Sequence, residues 1–159
     1  MKRWIAGLCI LLCAGFLAGC GGTAQPDASP AAVDSPVAGK KVAYIMQMAP
    51  SDIFQMWSQS AQETAEKLGM TYDAFFCGGS DAQWQDTIAQ CAAAGYDGLL
   101  LSHGGQNYAY TFLKDLLAQY PALKIVTFDT QFKDSSGQTQ TLEGVTQFFQ
   151  QDAQFAQLL

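Results

Sequence analysis

Four short apolar segments recur at nearly equal intervals, and this regular spacing is the strongest constraint on the fold. They begin at residues 42, 71, 98 and 124, so each start follows the previous one by 26–29 residues. That interval fits one strand, one helix and their connections. The segments 42–46, 98–101 and 124–128 are apolar without alternation, which is typical of parallel strands covered on both faces. The segment 71–76 is more mixed and is expected near a sheet edge.

Between these segments, apolar residues recur at helical spacing, which predicts three amphipathic helices. A fifth strand is expected at 144–147, followed by a helix from Gln150. Right-handed crossovers then predict an α/β fold, a three-layer doubly wound parallel sheet in the flavodoxin-like order 2-1-3-4-5. The predicted start and stop signals of the helices are Asp52 with Gln55, Ser80 with Gln83, Gly69, Gly95 and Pro121. The predicted inner face of the first helix is Met56, Trp57, Ser60, Ala61, Thr64, Ala65 and Leu68.

The first twenty residues have the organisation of an export signal. Lys2 and Arg3 precede an apolar stretch, 4–19, that is shorter than the roughly 20 residues of a membrane span. Its end, Leu-Ala-Gly-Cys at 17–20, resembles the lipobox of bacterial lipoproteins, in which the cysteine is lipidated and becomes the new N-terminus. An uncleaved anchor helix and a plain signal peptide are the alternatives. We therefore predict a signal peptide at 1–19, lipidation of Cys20, and an extracytoplasmic location at the bacterial cell envelope.

Composition shifts after Cys20. Residues 20–39 are rich in Ala, Pro, Ser, Asp and Gly and are expected to form a flexible tether, whereas 40–159 form a domain. The net charge of −6 and pI near 4.4 argue against nucleic-acid binding, so membrane association must come from the lipid. Cys77 at a strand end and Cys91 well into the next helix are too far apart for a disulfide, and we expect two buried thiols.

Ligands of doubly wound sheets bind at the carboxyl ends of the strands. Four loops are expected there, at 47–54, 77–81, 102–107 and 129–132, and they combine polar groups with aromatic rings, as sugar-binding sites do. Each candidate has a structural alternative: Phe54 and Trp57 could pack on the sheet, His103 could lie in an exposed loop, and Asp129 could cap a turn. The candidate ligand contacts in these loops and the adjoining helix are Asp52, Phe54, Trp57, His103, Asp129 and Gln131.

Several enzyme classes are disfavoured by the residue types. The dinucleotide and phosphate-binding glycine motifs and the Gly-x-Ser-x-Gly elbow are missing from the sequence. His103 is the only histidine, which excludes a multi-histidine metal cluster. Ser102 is its neighbour at a strand end, so the two side chains are expected to point apart. We expect neither catalysis nor a cofactor.

Residues 41–159 resemble the N-terminal lobe of the type I periplasmic binding proteins of the ribose- and galactose-binding group. The resemblance rests on 51–54 after the first strand, 95–102, 126–129 and the pair Gln151-Asp152. It implies a substrate-binding lipoprotein of an ABC importer, with a sugar ligand and a permease partner. It also implies Phe54 over the sugar, Asp129 as an acidic ligand residue and Asp152 as a further polar contact.

Two features depart from that family. Thr130 stands where the family has an arginine, which argues against a simple pentose. The family also has a second lobe of similar size, and the chain ends within the predicted last helix, so we expect a truncated N-terminal lobe. Two other functions remain open: a sensory protein presenting a sugar or furanosyl signal to a membrane receptor, and a flavodoxin-like enzyme. The enzyme is disfavoured because the loop after Met46 lacks the small residues that hold a flavin phosphate.

Overall fold

The computed structural model describes residues 34–105, 107–134 and 136–149. The predicted leader, Cys20, Asp152 and the helix predicted from Gln150 lie outside the described residues. Within them, strands and helices alternate, with their bounds as follows: β1 Lys41–Met46, α1 Asp52–Lys67, β2 Thr71–Phe76, α2 Asp81–Ala93, β3 Gly98–Ser102, α3 Ala109–Gln119, β4 Lys124–Phe128 and β5 Val145–Phe148.

The five strands form one parallel sheet in the order β2-β1-β3-β4-β5. This is the predicted order, and the mixed strand β2 lies at an edge as predicted. Helices α2 and α3 pack on one face of the sheet and α1 packs on the other, which gives three layers. The connection from β4 to β5 has no helix among its described residues, and Phe132 from this connection enters the core instead.

The main core lies between the sheet and the α2–α3 layer. Ile45, Leu101 and Ile125 extend from three neighbouring strands into it and are at most 1% exposed. Trp84 of α2 and Leu113 of α3 meet them and are fully buried. Each fully buried side chain of this kind contributes about 1.5–3 kcal/mol, so this layer provides most of the hydrophobic stabilisation.

The opposite face is only partly covered. Helix α1 packs mainly over β1 and β2, and beside it a groove of about 580 Å³ runs along the sheet. Val42, Leu100 and Val126 line this groove and are half-buried. Among the described residues, β3 and β4 are therefore fully covered on the α2–α3 face and half-covered on the α1 face, whereas cover on both faces was predicted. The predicted inner face of α1 is also too wide, because Met56 is 60% exposed.

The helix boundaries follow most of the sequence signals. Ser80 caps α2 by accepting a hydrogen bond from the Gln83 backbone N–H, at 3.2 Å. Gly69 and Gly95 follow the first two helices with φ of 73° and 77°, which glycine adopts at little cost. Asp52 is not a cap: Ser51 occupies that position, and Asp52 begins the helix, where its carboxylate interacts favourably with the helix dipole. Cys77 and Cys91 are buried free thiols, as predicted.

Candidate functional site

Aromatic rings from three elements meet at the carboxyl edge of the sheet. The His103 ring lies 5.2 Å from Phe54 and 6.1 Å from Trp57, measured between ring centroids, and it is nearly parallel to Trp57. Trp57 in turn contacts Phe128, at the end of β4, edge-to-face at 5.1 Å. All four rings are half-buried. Trp57 therefore packs against the end of β4 and also reaches the loop after β3, while its contact with a ligand stays a prediction.

His103 and Asp129 share an unusual backbone conformation. They have φ of 58° and 54°, in the left-handed region that residues other than glycine rarely adopt. Each directly follows a strand, and Ser102 and Phe128 are paired in the sheet, so His103 and Asp129 leave it side by side. Such strain costs on the order of 1–3 kcal/mol and is concentrated at functional sites. The predicted convergence of Phe54, His103 and Asp129 at one edge is thus present in the structure.

Ser102 and His103 do not point apart, and that prediction is wrong. The Ser102 hydroxyl and His103 Nδ1 are hydrogen-bonded at 2.7 Å. The positive φ of His103 interrupts the strand alternation on which the prediction depended. Ser102 is fully buried, so its hydroxyl orients the imidazole and is not accessible to a substrate.

Asp52 and Gln131 are less closely connected to this cluster. Asp52 is exposed at the start of α1, and Gln131 is half-buried between Thr130 and Phe132. Within the described residues, no hydrogen bond or ring contact joins either side chain to the four rings. Their roles, and that of Asp152 outside the described residues, stay predictions.

A polar network that was not predicted from the sequence joins the loops after β1, β2 and β3. Asp81 Oδ1 accepts hydrogen bonds from Gln47 Nε2 at 2.9 Å and from the Tyr108 hydroxyl at 2.6 Å. The same hydroxyl accepts one from the Gly105 backbone N–H at 3.1 Å. Gln47 and Asp81 fall within the loops predicted from the sequence. The only sequence signal for Tyr108 was its position immediately after the third of those loops.

Thr130 provides a further link between loops. It is fully buried, and its hydroxyl accepts a hydrogen bond from the Gly104 backbone N–H at 3.0 Å. The residue that stands in place of the family's arginine therefore holds the loop after β3. It places no cation at this edge of the sheet.

The described residues contain neither a metal-binding cluster nor a membrane-spanning helix. No group of three or more His, Cys, Asp or Glu side chains that could hold a metal ion occurs among the described residues. None of the helices in the described part of the chain combines the length and apolarity needed to cross a bilayer.

The fold is shared with solved structures of transport proteins. A sugar ABC transporter structure from Yersinia enterocolitica matches 76% of the chain with a TM-score of 0.64 and 28% identity. A 5-methylthioribose transporter solute-binding protein from Thermotoga lettingae, solved with 5-methylthioribose, matches 74% with a TM-score of 0.61 and 21% identity. A periplasmic ribose ABC transporter structure from Conexibacter woesei matches 66% with a TM-score of 0.56 and 20% identity.

These matches cover 35%, 34% and 35% of the three longer proteins, so this chain spans about a third of their length. No family model matches the chain, and no curated protein matches its sequence. Over its described residues, the chain is therefore similar in fold to the N-terminal lobe of the sugar-type solute-binding proteins of ABC transporters.

Proposed function

We propose that this chain is the N-terminal lobe of an extracytoplasmic substrate-binding lipoprotein that captures a carbohydrate-like solute for an ABC importer. The observation that carries the proposal is the meeting of the Phe54, Trp57 and His103 rings beside Asp129 at the carboxyl edge of the sheet. The similarity to the Yersinia enterocolitica sugar transporter structure supports the same class of ligand.

The chemistry of this edge suits a neutral polyol with an apolar face. Aromatic rings provide a flat apolar surface that covers the C–H face of a sugar. A carboxylate such as Asp129 accepts hydrogen bonds from hydroxyl groups, each worth about 1.5–3 kcal/mol. The imidazole of His103 is held by Ser102 at 2.7 Å, so it presents a fixed ring to the ligand. None of these contacts makes or breaks a covalent bond.

One lobe supplies only one side of such a site. Two-lobed binding proteins close around their ligand, and closure excludes water and completes the hydrogen bonds. A micromolar ligand is bound with about 8 kcal/mol, and half of that free energy corresponds to a millimolar Kd. We therefore expect this chain to bind monosaccharides no more tightly than the millimolar range.

The ligand experiment is an NMR titration of the full chain in mild detergent with ribose, galactose and glucose. We expect millimolar shifts at Phe54, Trp57 and His103 with at least one sugar. Phe54→Ala should abolish them, while Met56→Ala, on the same helix but 60% exposed and outside the ring cluster, should not. Shifts confined to other parts of the sheet, or micromolar affinity for the isolated chain, would contradict the proposal.

Attachment to the membrane is tested separately. In Cys20→Ser the lipid attachment site is lost, and we expect the chain to leave the membrane fraction while its domain still folds. Fractionation of cells expressing both forms, together with labelling by a fatty-acid analogue, measures this. If the variant still sediments with membranes in the absence of detergent, the leader is an anchor helix and the lipoprotein proposal fails.

A further inference from the structure

The loop that carries His103 is held in an unfavourable conformation. His103 has a φ of 58°, and Gly104 and Gly105 follow it before α3 begins. A strained backbone of this kind persists only where surrounding contacts determine it. The contacts that determine this loop therefore also set where the imidazole lies.

Two aromatic rings lie directly against the loop backbone. A Cβ atom on Gly104 would lie 2.4 Å from the Trp84 ring, and one on Gly105 would lie 2.2 Å from the Tyr108 ring. Neither glycine has a positive φ, so their lack of a side chain is required by these close approaches. Trp84 and Tyr108 contact each other edge-to-face with centroids 6.1 Å apart. The loop thus rests on a packed pair of rings.

Hydrogen bonds then fix the loop on that pair. A phenol has one proton to donate, and Tyr108 donates it to Asp81 Oδ1 at 2.6 Å, a short charge-assisted bond. This leaves a lone pair of the hydroxyl for the Gly105 backbone N–H, at 3.1 Å. Burial, together with the bond to Asp81, raises the pKa of Tyr108 to about 12, so the phenol keeps its proton at neutral pH.

Gln47 connects this arrangement to the end of β1. Its side-chain amide donates to Asp81 Oδ1 and to the Gly79 backbone carbonyl, both at 2.9 Å. Asp81 therefore receives hydrogen bonds from the end of β1 and the start of α3 while it lies at the start of α2. It is the point at which three of the loops at the binding edge are joined.

We propose that Asp81, acting through the Tyr108 hydroxyl, positions the His103 loop for ligand binding, an inference that rests on the function proposed above. Asp81 and Tyr108 are positioning residues. In the described part of the chain no hydrogen bond or ring contact joins either of them to the Phe54, Trp57 and His103 rings, and their effect passes through Gly105. The site on this lobe is accordingly formed before the ligand arrives. Loss of the Tyr108 hydroxyl should let the loop relax towards an unstrained φ at His103.

Tyr108→Phe is the direct test, because it keeps the ring against Gly105 and Trp84 and removes both hydrogen bonds. Tyr96→Phe is the matched control, since it removes another 2.6 Å tyrosine–aspartate bond, to Asp73, on strand β2. NMR spectra of the full chain in mild detergent report the His103 ring and the Trp57 indole, which lie 6.1 Å apart. Titration with the same three monosaccharides reports affinity.

We expect Tyr108→Phe to shift and broaden the His103 and Trp57 signals and to weaken sugar binding about five-fold. Tyr96→Phe should lower stability without either effect. Unchanged His103 and Trp57 signals in folded Tyr108→Phe would overturn the proposal. If Tyr108→Phe does not fold, Asp81→Asn decides the question by the same signals. If the wild-type chain binds none of the sugars, the proposed function fails, while the ring signals still decide the positioning role.

Discussion

The two faces of the sheet are built from the same strands but are buried to different extents. On the face towards α2 and α3, Leu101 is fully buried and Ile125 is 1% exposed. Their neighbours Leu100 and Val126, on the face towards α1, are half-buried and line the open groove. All four residues are apolar, so hydrophobicity does not distinguish the faces. Among the described residues, two helices cover the first face and one helix covers the second, and this difference distinguishes them.

This difference also separates two regions of the carboxyl edge of the sheet. The His103 loop is backed by Trp84 and Tyr108 from the closed face. Trp57 and Phe128, in contrast, stand at the end of the open groove and line it. The His103 ring is thus held by a loop that rests on the packed core, whereas the Trp57 and Phe128 rings rest on a face that the described residues cover incompletely. We expect the closed face to control stability and the order of the His103 loop.

The largest expected effect compares two adjacent leucines of β3. Leu101→Ala removes a fully buried side chain and should lower the free energy of unfolding by about 2–5 kcal/mol. Leu100→Ala should cost less than half as much, because the half-buried side chain leaves no closed cavity. Urea unfolding of both variants measures the two values. Equal losses would mean that the groove is closed in solution.

Gly104→Ala tests the close contact between the His103 loop and the closed face. The added Cβ would lie 2.4 Å from the Trp84 ring, and such overpacking costs about 1–3 kcal/mol. Gly98→Ala is the control, since its Cβ would meet Val42 at 3.4 Å beside the groove. In thermal unfolding, Gly104→Ala should have a clearly lower Tm than Gly98→Ala. A fully stable Gly104→Ala would show that the loop can move away from Trp84.

Alkaline pH probes a buried group on the groove side. Burial raises the pKa of Tyr44 from 10.0 to about 12. Because the folded-state pKa is the higher one, this stabilisation is fully present below pH 10 and is lost as the pH rises from 10 to 12. Tyr44→Phe should therefore show a shallower loss of stability over that range. Denaturant unfolding between about pH 9 and 11.5 measures the slopes. Equal slopes for Tyr44→Phe and the unchanged chain would show that Tyr44 is hydrated.

The smallest expected effect concerns the groove itself. An open apolar surface binds hydrophobic dyes, so the folded chain should enhance the fluorescence of such a dye. Val126→Thr, within the groove, should reduce the enhancement by less than about two-fold. Met56→Thr should leave it unchanged, because Met56 lies outside the residues that line the groove. The same reduction in both variants would place the dye elsewhere.

The site could be predicted from sequence to the level of loops and a few ring positions. Phe54, His103 and Asp129 converge as expected because parallel strands place their carboxyl ends at one edge. The Ser102–His103 bond could not be predicted, since it depends on a left-handed φ that no residue type at position 103 requires. The role of Asp81 also depends on elements far apart in sequence. Its partners Gln47 and Tyr108 become neighbours only once β1, α2 and α3 are assembled.

By itself the sequence determined the order of strands and helices, the parallel sheet and the edge at which Phe54, His103 and Asp129 gather. Those properties follow from local periodicity and from the handedness of crossovers, which every short segment carries. Only the tertiary structure decided which face of the sheet is closed, which side chains hold the His103 loop and how its imidazole is oriented. Those properties depend on contacts between distant segments, such as the packing of the Trp84 ring against Gly104 and the single oxygen of Asp81 that Gln47 and Tyr108 share.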